Sequence, residues 1–302
     1  MKAIVYHEFG GPDVLWLEEV AQPHAGPGQI RLKVVAAGVN PMDYKVRRGW
    51  MQQLIPPSFP TVPGLEAAGV VDEVGAGVTG VSIGDEVLGR TVTGAYAQYA
   101  LVEDHAPKPA GLDWASAAAL PVALDTSDGV LDLLKVTEGE TLLIHGASSV
   151  VGSVGVQLAV ARGATVIGTA APDNHDYLRS IGATPVAYGD HLADRVRSVA
   201  PQGIDAVYDA TGYDVLDVSI DLRGGTTDRI VTIADIHAPD RGITLATAGR
   251  RRFGPRLADY ARLAADGGLH IRIAHAFPLA EAAQAQQASE SGHPRGKLIL
   301  RP

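Results

Sequence analysis

The sequence predicts an α/β protein in two parts, an antiparallel barrel-like β-domain followed by a doubly wound parallel-sheet domain. Three observations carry this. Up to about residue 118 the chain consists of short apolar runs punctuated by glycine and proline. Beyond it, apolar runs alternate with segments of helical spacing. At the centre, Leu142 to Arg162, LLIHGASSVVGSVGVQLAVAR, reads as strand, small-residue turn and helix, the opening of a βαβ unit.

In the first part, Lys2 to Tyr6 is a strand ended by Gly10-Gly11-Pro12, and Gln29 to Val39 is a long β-branched strand. Further strands are expected over Ala68 to Val74, Asp85 to Leu88 and Ala95 to Val102, with Gly75, Gly77, Gly80 and Gly84 between them. Gly49 to Gly64 is proline-rich and irregular, either crossing the surface or covering a site. Near Asp113 the texture turns helical, with Pro121 separating two helical stretches and Thr126 or Ser127 capping the second. After the central unit, helices are expected at 175–181, 191–199, 214–222 and 255–265, and strands at 185–188, 205–209 and 229–233. An alanine-rich helix, 279–289, and a strand, 297–300, close the chain; that strand is too far from the parallel series to extend it and returns to the first domain. The domains are thus 1–118, completed by 271–302, and 119–270.

The central turn is built for close approach. A pyrophosphate must reach the free N–H groups at a helix N-terminus, where the helix dipole favours an anion. Read as G-x-G-x-x-G ending at Gly152, the first two glycine positions hold Ala147 and Ser149, and Val150 adds a β-branched side chain. On these residues alone the unit is either a dinucleotide site or an ordinary crossover.

Composition removes whole classes of function. There is no cysteine, hence no disulfide, thiolate nucleophile or cysteine-ligated zinc. The formal net charge of −9 argues against nucleic acid and anionic membrane as partners. No apolar stretch approaches the roughly 18–20 residues of a membrane span, and MKAIVYHEFG reads as a strand and not as a signal peptide. The expected location is the cytoplasm. Ser148 and Ser149 lack a carboxylate-paired histidine, since His145 has no evident acid partner, so a hydrolase is rejected.

Taken in order, MKAIVYHEFGGPDVLWLEE, AAGVNPMDYKVRRG, PTVPGLEAAGVVDEVGAGVTGVSIGDEVLG, LPVALDTSDGVLDLLKVTEGETLLIHGASSVVGSVGVQLA and GKLIL resemble the medium-chain dehydrogenase/reductase superfamily, in its zinc-independent quinone oxidoreductase and enoyl reductase branch. The resemblance covers essentially the whole chain and implies a GroES-like domain joined to a Rossmann domain. Zinc-using relatives carry cysteine and histidine where this chain has Asn40 and Leu65. An amide and an isobutyl group cannot hold catalytic zinc, so no metal is expected. The implied activity is hydride transfer from NADPH to a quinone or an α,β-unsaturated carbonyl acceptor, by a homodimer. The alternative is a reductase-like cyclase of a polyketide-type pathway with altered or lost use of NADPH, suggested by the unusual turn and by VALDTSDG where relatives have VAGLTA.

NADP(H) is favoured over NAD(H) because the second strand ends Gly168-Thr169-Ala170-Ala171 with no acid before Asp173 to take a ribose 2′-hydroxyl. The expected cofactor residues are Ala147, Ser148, Ser149, Val150, Val151 and Gly152 at the turn and Thr169 at the strand end. By resemblance, Tyr188 lies by the adenosine phosphate; it is otherwise a strand-end aromatic. Arg179 contacts the phosphate or lies on a solvated helix face. Also by resemblance, Asn40 and Thr126 orient the nicotinamide, although Asn40 could equally be a turn residue before Pro41. The strand ends Asp209-Ala210-Thr211 and Ile233-Ala234 line the ring by the same resemblance. Lys297 contacts the cofactor or simply opens a surface strand. Tyr44, then Asp43, are the candidate proton donors, with Asn40 beside them, although solvent can serve instead. The run Arg250-Arg251-Arg252 clamps an anionic substrate or is solvated charge.

Overall fold

A computed structural model of the chain describes residues 1–56, 58–212, 214–246, 253–292 and 294–302. The chain forms two compact units, Met1–Val122 with Arg251–Pro302, and Ala123–Arg250. Arg250 to Arg252 lie outside the described residues.

In the first unit, β1 (Lys2–Val5) pairs antiparallel with β2 (Trp16–Glu19). The long strand β3 (Ile30–Val39) leads into helix α1 (Pro41–Arg47), and β4 (Glu66–Val74), β5 (Glu86–Thr91) and β6 (Tyr99–Pro107) follow. Each of β4, β5 and β6 pairs antiparallel with the strand before it. Residues 30–33 of β3 also pair with β6, so the four strands close on themselves around Ile30, Leu32, Val71, Val87 and Val102. The predicted strand at Ala95 begins only at Tyr99.

Helix α2 (Trp114–Leu134) starts where Asp113 accepts the N–H groups of Ala115 and Ser116. It runs through Pro121 without ending there, against the sequence expectation of two helices. Pro121 has no N–H to give, and the next one, that of Val122, donates to Glu66 Oε2 at 2.7 Å. The helix continues past the proline with this N–H satisfied from outside, and Thr126 and Ser127 sit inside it instead of capping it.

The second unit follows the alternation read from the sequence. Its elements in order are β7 (Thr141–His145), α3 (Val150–Ala161), β8 (Thr165–Ala170), α4 (His175–Ser180), β9 (Ala183–Ala187), α5 (Leu192–Val199), β10 (Ala206–Asp209), α6 (Leu216–Leu222), β11 (Ile230–Thr232) and β12 (Thr244–Leu245). The strands are parallel in the order β12-β11-β10-β7-β8-β9, the doubly wound arrangement, over a core that includes Leu143, Ile167, Val207 and Ile230. The order reverses between β7 and β10, so their carboxyl ends flank the crevice where such sheets take ligands.

The chain then returns to the first unit with α7 (Gly254–Ala265), β13 (Ile273–Pro278), α8 (Ala282–Glu290) and β14 (Lys297–Arg301). Strand β14 pairs antiparallel with Ala37–Val39 of β3, as expected of a strand that returns to the first domain. Helix α7 corrects the expected boundary at residue 270. Its first N–H groups, from Phe253 and Gly254, donate to Asp104 of β6 at 2.6 and 2.7 Å, which ties it to the β-domain. Among the described residues, no helix is long and apolar enough to cross a membrane.

Candidate active site

The turn after β7 has the shape its small residues require. Gly146 has φ +69°, and a Cβ on Gly152 would lie 2.2 Å from the Gly146 carbonyl oxygen, so the loop closes only with glycine there. Ser149 is the N-cap of α3, and its Oγ accepts from Gly152 N–H at 3.0 Å. Val150 and Val151 open the helix, and their N–H groups have no carbonyl of their own helix to reach. Val150, the β-branched residue of the turn, is the first helical residue and half-buried. The turn therefore has the form of a cradle for a phosphate, and these residues fit a dinucleotide.

Two buried polar clusters lie on the strands of this unit, and the first braces the turn. His145 is fully buried, with Nε2 3.1 Å from Ser219 Oγ and Nδ1 3.4 Å from Thr169 Oγ1. Ser219 spends its own proton on the Val215 carbonyl, so it accepts from Nε2–H and leaves Nδ1 to accept from Thr169. This is the neutral ring, and burial holds its pKa down to about 4. Thr169 Oγ1 also accepts from Gly146 N–H, and its carbonyl takes Ala147 N–H. Thr169, expected at the cofactor, is buried at the back of the turn as its brace.

The second cluster was not anticipated. Buried Asp209 accepts at Oδ1 from the N–H and hydroxyl of Thr211 and from Gly212 N–H, and at Oδ2 from Thr232 Oγ1 at 2.7 Å. Thr232 Oγ1 accepts in turn from Ala234 and Asp235 N–H. The two carboxylate oxygens thereby shape the loops that carry Ala210, Ile233 and Ala234. The signal was local: Asp209-Ala210-Thr211-Gly212 and Thr232-Ile233-Ala234-Asp235 are side-chain-to-backbone turn patterns.

In the first unit, the sequence-predicted residues meet in a buried charged cluster. Asn40 is the N-cap residue of α1, its backbone carbonyl accepting from Asp43 N–H, while Asp43 Oδ2 accepts from Asn40 N–H and from Tyr96 Oη, both at 2.8 Å. Burial pushes the Asp43 carboxyl up to about 6, although these donors and Lys297 oppose it. Lys297 is not the opening residue of a surface strand. It is 2% exposed, and its Nζ donates to Asn40 Oδ1 at 2.7 Å and to Glu66 Oε1 at 2.5 Å. Glu66 joins them by accepting from Asn40 Nδ2 at 2.9 Å.

The remaining residues lie elsewhere. Tyr44 is half-buried on α1, edge-on to the ring of Trp50 at 6.0 Å. Thr126 is half-buried on α2, and its neighbour Ser127 donates to the Val151 carbonyl in the first turn of α3 at 2.7 Å. Arg179 is exposed and paired with Asp176 at 2.6 Å on its own helix. Tyr188 follows β9 and is exposed, while Arg195 holds the backbone beneath it through the Ala187, Tyr188 and Gly189 carbonyls.

A family model of the alcohol dehydrogenase GroES-like domain matches residues 26–110, and one of zinc-binding dehydrogenase matches residues 181–300. The chloroplastic NADPH-dependent alkenal/one oxidoreductase of Arabidopsis thaliana is 32% identical, covering 100% of this chain and 80% of that protein. A 2-haloacrylate reductase of a Burkholderia species is 33% identical over 99% of this chain and 98% of its own. The solved quinone oxidoreductase of Coxiella burnetii superposes with a TM-score of 0.89 at 32% identity, over 100% of this chain and 99% of that one. The zinc in the second family description finds no seat at Asn40 and Leu65, an amide whose oxygen already accepts from Lys297 Nζ and an isobutyl group. Among the described residues, no group of three or more histidines, cysteines, aspartates or glutamates is gathered to hold a metal ion.

Proposed function

This chain belongs to the medium-chain dehydrogenase/reductase superfamily, and we propose on that footing that it transfers hydride from NADPH to a quinone or an α,β-unsaturated carbonyl compound. The observation that carries the reading is the full-length likeness to reductases of electron-poor acceptors, which leaves no part of the chain unaccounted for. When bound, NADPH supplies the hydride, and the chain has to seat the dinucleotide, orient the acceptor and let a proton follow.

Seating falls to the second unit. Ala147, Ser148, Ser149, Val150, Val151 and Gly152 take the pyrophosphate at the α3 N-terminus. Thr126, Ala210, Ile233 and Ala234 serve the nicotinamide half, and Tyr188 the adenosine end. The absence of an acid between Gly168 and Ala171 favours a 2′-phosphate. Arg179 is the weaker assignment because Asp176 already neutralises it. In the first unit Tyr44 is the proposed proton donor. Asp43 is discounted because its carboxyl is buried and holds Asn40 and Tyr96. Assembly as a homodimer and a cytoplasmic location belong to the same reading, and β9 and β12 are the sheet edges available for pairing.

Calorimetric titration with NADPH and NADH, followed by NADPH oxidation with simple quinones and enones, tests it. NADPH is expected to bind about tenfold or more tightly than NADH and to be consumed only with an acceptor present. Failure to bind NADPH, or binding without turnover of either acceptor class, overturns the reading; the second outcome is the one a cyclase predicts.

A further inference from the structure

The buried ion pair in the first unit has a directional property that its partners make use of. An ammonium can only donate hydrogen bonds, and a carboxylate can only accept them. Asn40 lies against both, its Oδ1 on Lys297 Nζ at 2.7 Å and its Nδ2 on Glu66 Oε1 at 2.9 Å. A flipped amide would set its NH2 against the ammonium and its oxygen against the carboxylate, losing two charge-assisted bonds at once. The room for this arrangement is made by Gly38, where a Cβ would lie 2.4 Å from Glu66 Oε1 and 2.8 Å from Lys297 Cε. Glu66 opens β4, Lys297 opens β14 and Asn40 follows β3 as the N-cap residue of α1, while Val122 N–H donates to the remaining carboxylate oxygen.

We infer that Glu66 and Lys297 are positioning residues that lock the Asn40 amide in a single orientation, keeping its second N–H pointed one way for a bound acceptor. The inference rests on the proposed reductase reading. Its substance is separate: neither residue touches the acceptor, and both act through Asn40. The lock needs the charges and not merely the packing. Glutamine at position 66 has one acceptor where the carboxylate has two, so with its oxygen on Val122 N–H it turns an NH2 toward Asn40 and no longer holds Nδ2 in place, and methionine at position 297 fills the space while dictating nothing.

The test uses the whole chain and the variants Glu66→Gln, Lys297→Met, Lys297→Arg and Glu66→Gln with Lys297→Met. Each charge-removing single variant is expected to lower kcat about tenfold or more with the NADPH Kd changed by less than about twofold. Arginine at 297 restores part of the loss. The double variant buries no unpaired charge, so its melting temperature returns toward that of the wild type while kcat stays low. Recovery of kcat along with melting temperature overturns the inference, because the pair is then structural only. A second readout needs no turnover. The chain has two asparagines, Asn40 and Asn174, so nitrogen-15 asparagine labelling gives a side-chain spectrum that Asn40→Ser assigns. The two Nδ2 protons of Asn40 are expected to be well separated and slow to exchange in the wild type, and shifted with faster exchange in Lys297→Met. Unchanged signals overturn the inference. A wild type that binds no NADPH or reduces no acceptor refutes the proposed function instead, and the amide signals then decide the lock by themselves.

Discussion

Glu66 and Lys297 meet as full charges inside the β-domain, whereas His145, Thr169 and Ser219 meet as neutral groups beneath the dinucleotide turn. Both clusters are buried and both tie distant strands together, yet they answer to different physics. In the neutral chain each proton has one acceptor, so order comes from hydrogen-bond polarity alone. In the charged cluster, two ions that are costly to desolvate hold each other, and removing either leaves the other unpaired. The difference is one of vulnerability. The neutral brace degrades gradually and the charged one does not.

Lys297→Ala strands Glu66 and is expected to cost about 3–5 kcal/mol, measured by denaturant unfolding. A loss under about 1 kcal/mol would remove the distinction. Next comes Gly152→Ala. Its Cβ meets backbone oxygen at 2.2 Å, so the turn must open, and the NADPH Kd should rise about tenfold or more by calorimetry. His145→Leu breaks two neutral bonds and is expected to cost about 1–3 kcal/mol, less than Lys297→Ala, with weakened NADPH binding because Thr169 loses its partner.

Acid titration sharpens the same contrast through opposite signs. The Asp43 carboxyl is raised to about 6, so its contribution to stability is full below its unfolded pKa and is lost as pH rises through about 6. His145 is lowered to about 4, so its contribution is full above its unfolded pKa and is lost as pH falls toward about 4. Across this window the two oppose each other. Asp43→Asn should make stability climb more steeply between pH 4 and 6, and His145→Gln should flatten or reverse the climb. The smallest effect belongs to Arg179→Ala. An exposed pair within one helix is worth about 0.5 kcal/mol at most, and a large change in melting temperature would mean that the Asp176 contact is not its main partner.

What the sequence disclosed follows the range of each interaction. The strand, turn and helix around Gly146 to Ala161, and the alternation after it, rest on local periodicity and were readable. Helix α1 was readable in principle and was missed: Asn40-Pro41-Met42-Asp43 carries a cap, a proline at the first helical position and an acid at the third. The charged cluster had no local trace, because Lys297 and Glu66 are 231 residues apart and nothing in GKLIL marks its lysine as buried. The same holds for Pro121. Its helix-breaking character is visible in sequence, but the carboxylate that takes up the freed N–H lies 56 positions away.

Strand β14 places the counter-ion of Glu66 on the last described strand of the chain, and this sets an order of events during synthesis. At about 5–20 residues per second, a ribosome takes on the order of ten to fifty seconds to travel from position 66 to position 297. Throughout that interval the nascent β-domain has its carboxylate and Asn40 but no ammonium to pair with them, and by its end all of residues 123–250 have been synthesised. The unit that begins first in the chain is therefore the one that finishes last, and a product cut short before Lys297 has a first unit that cannot close its charged centre.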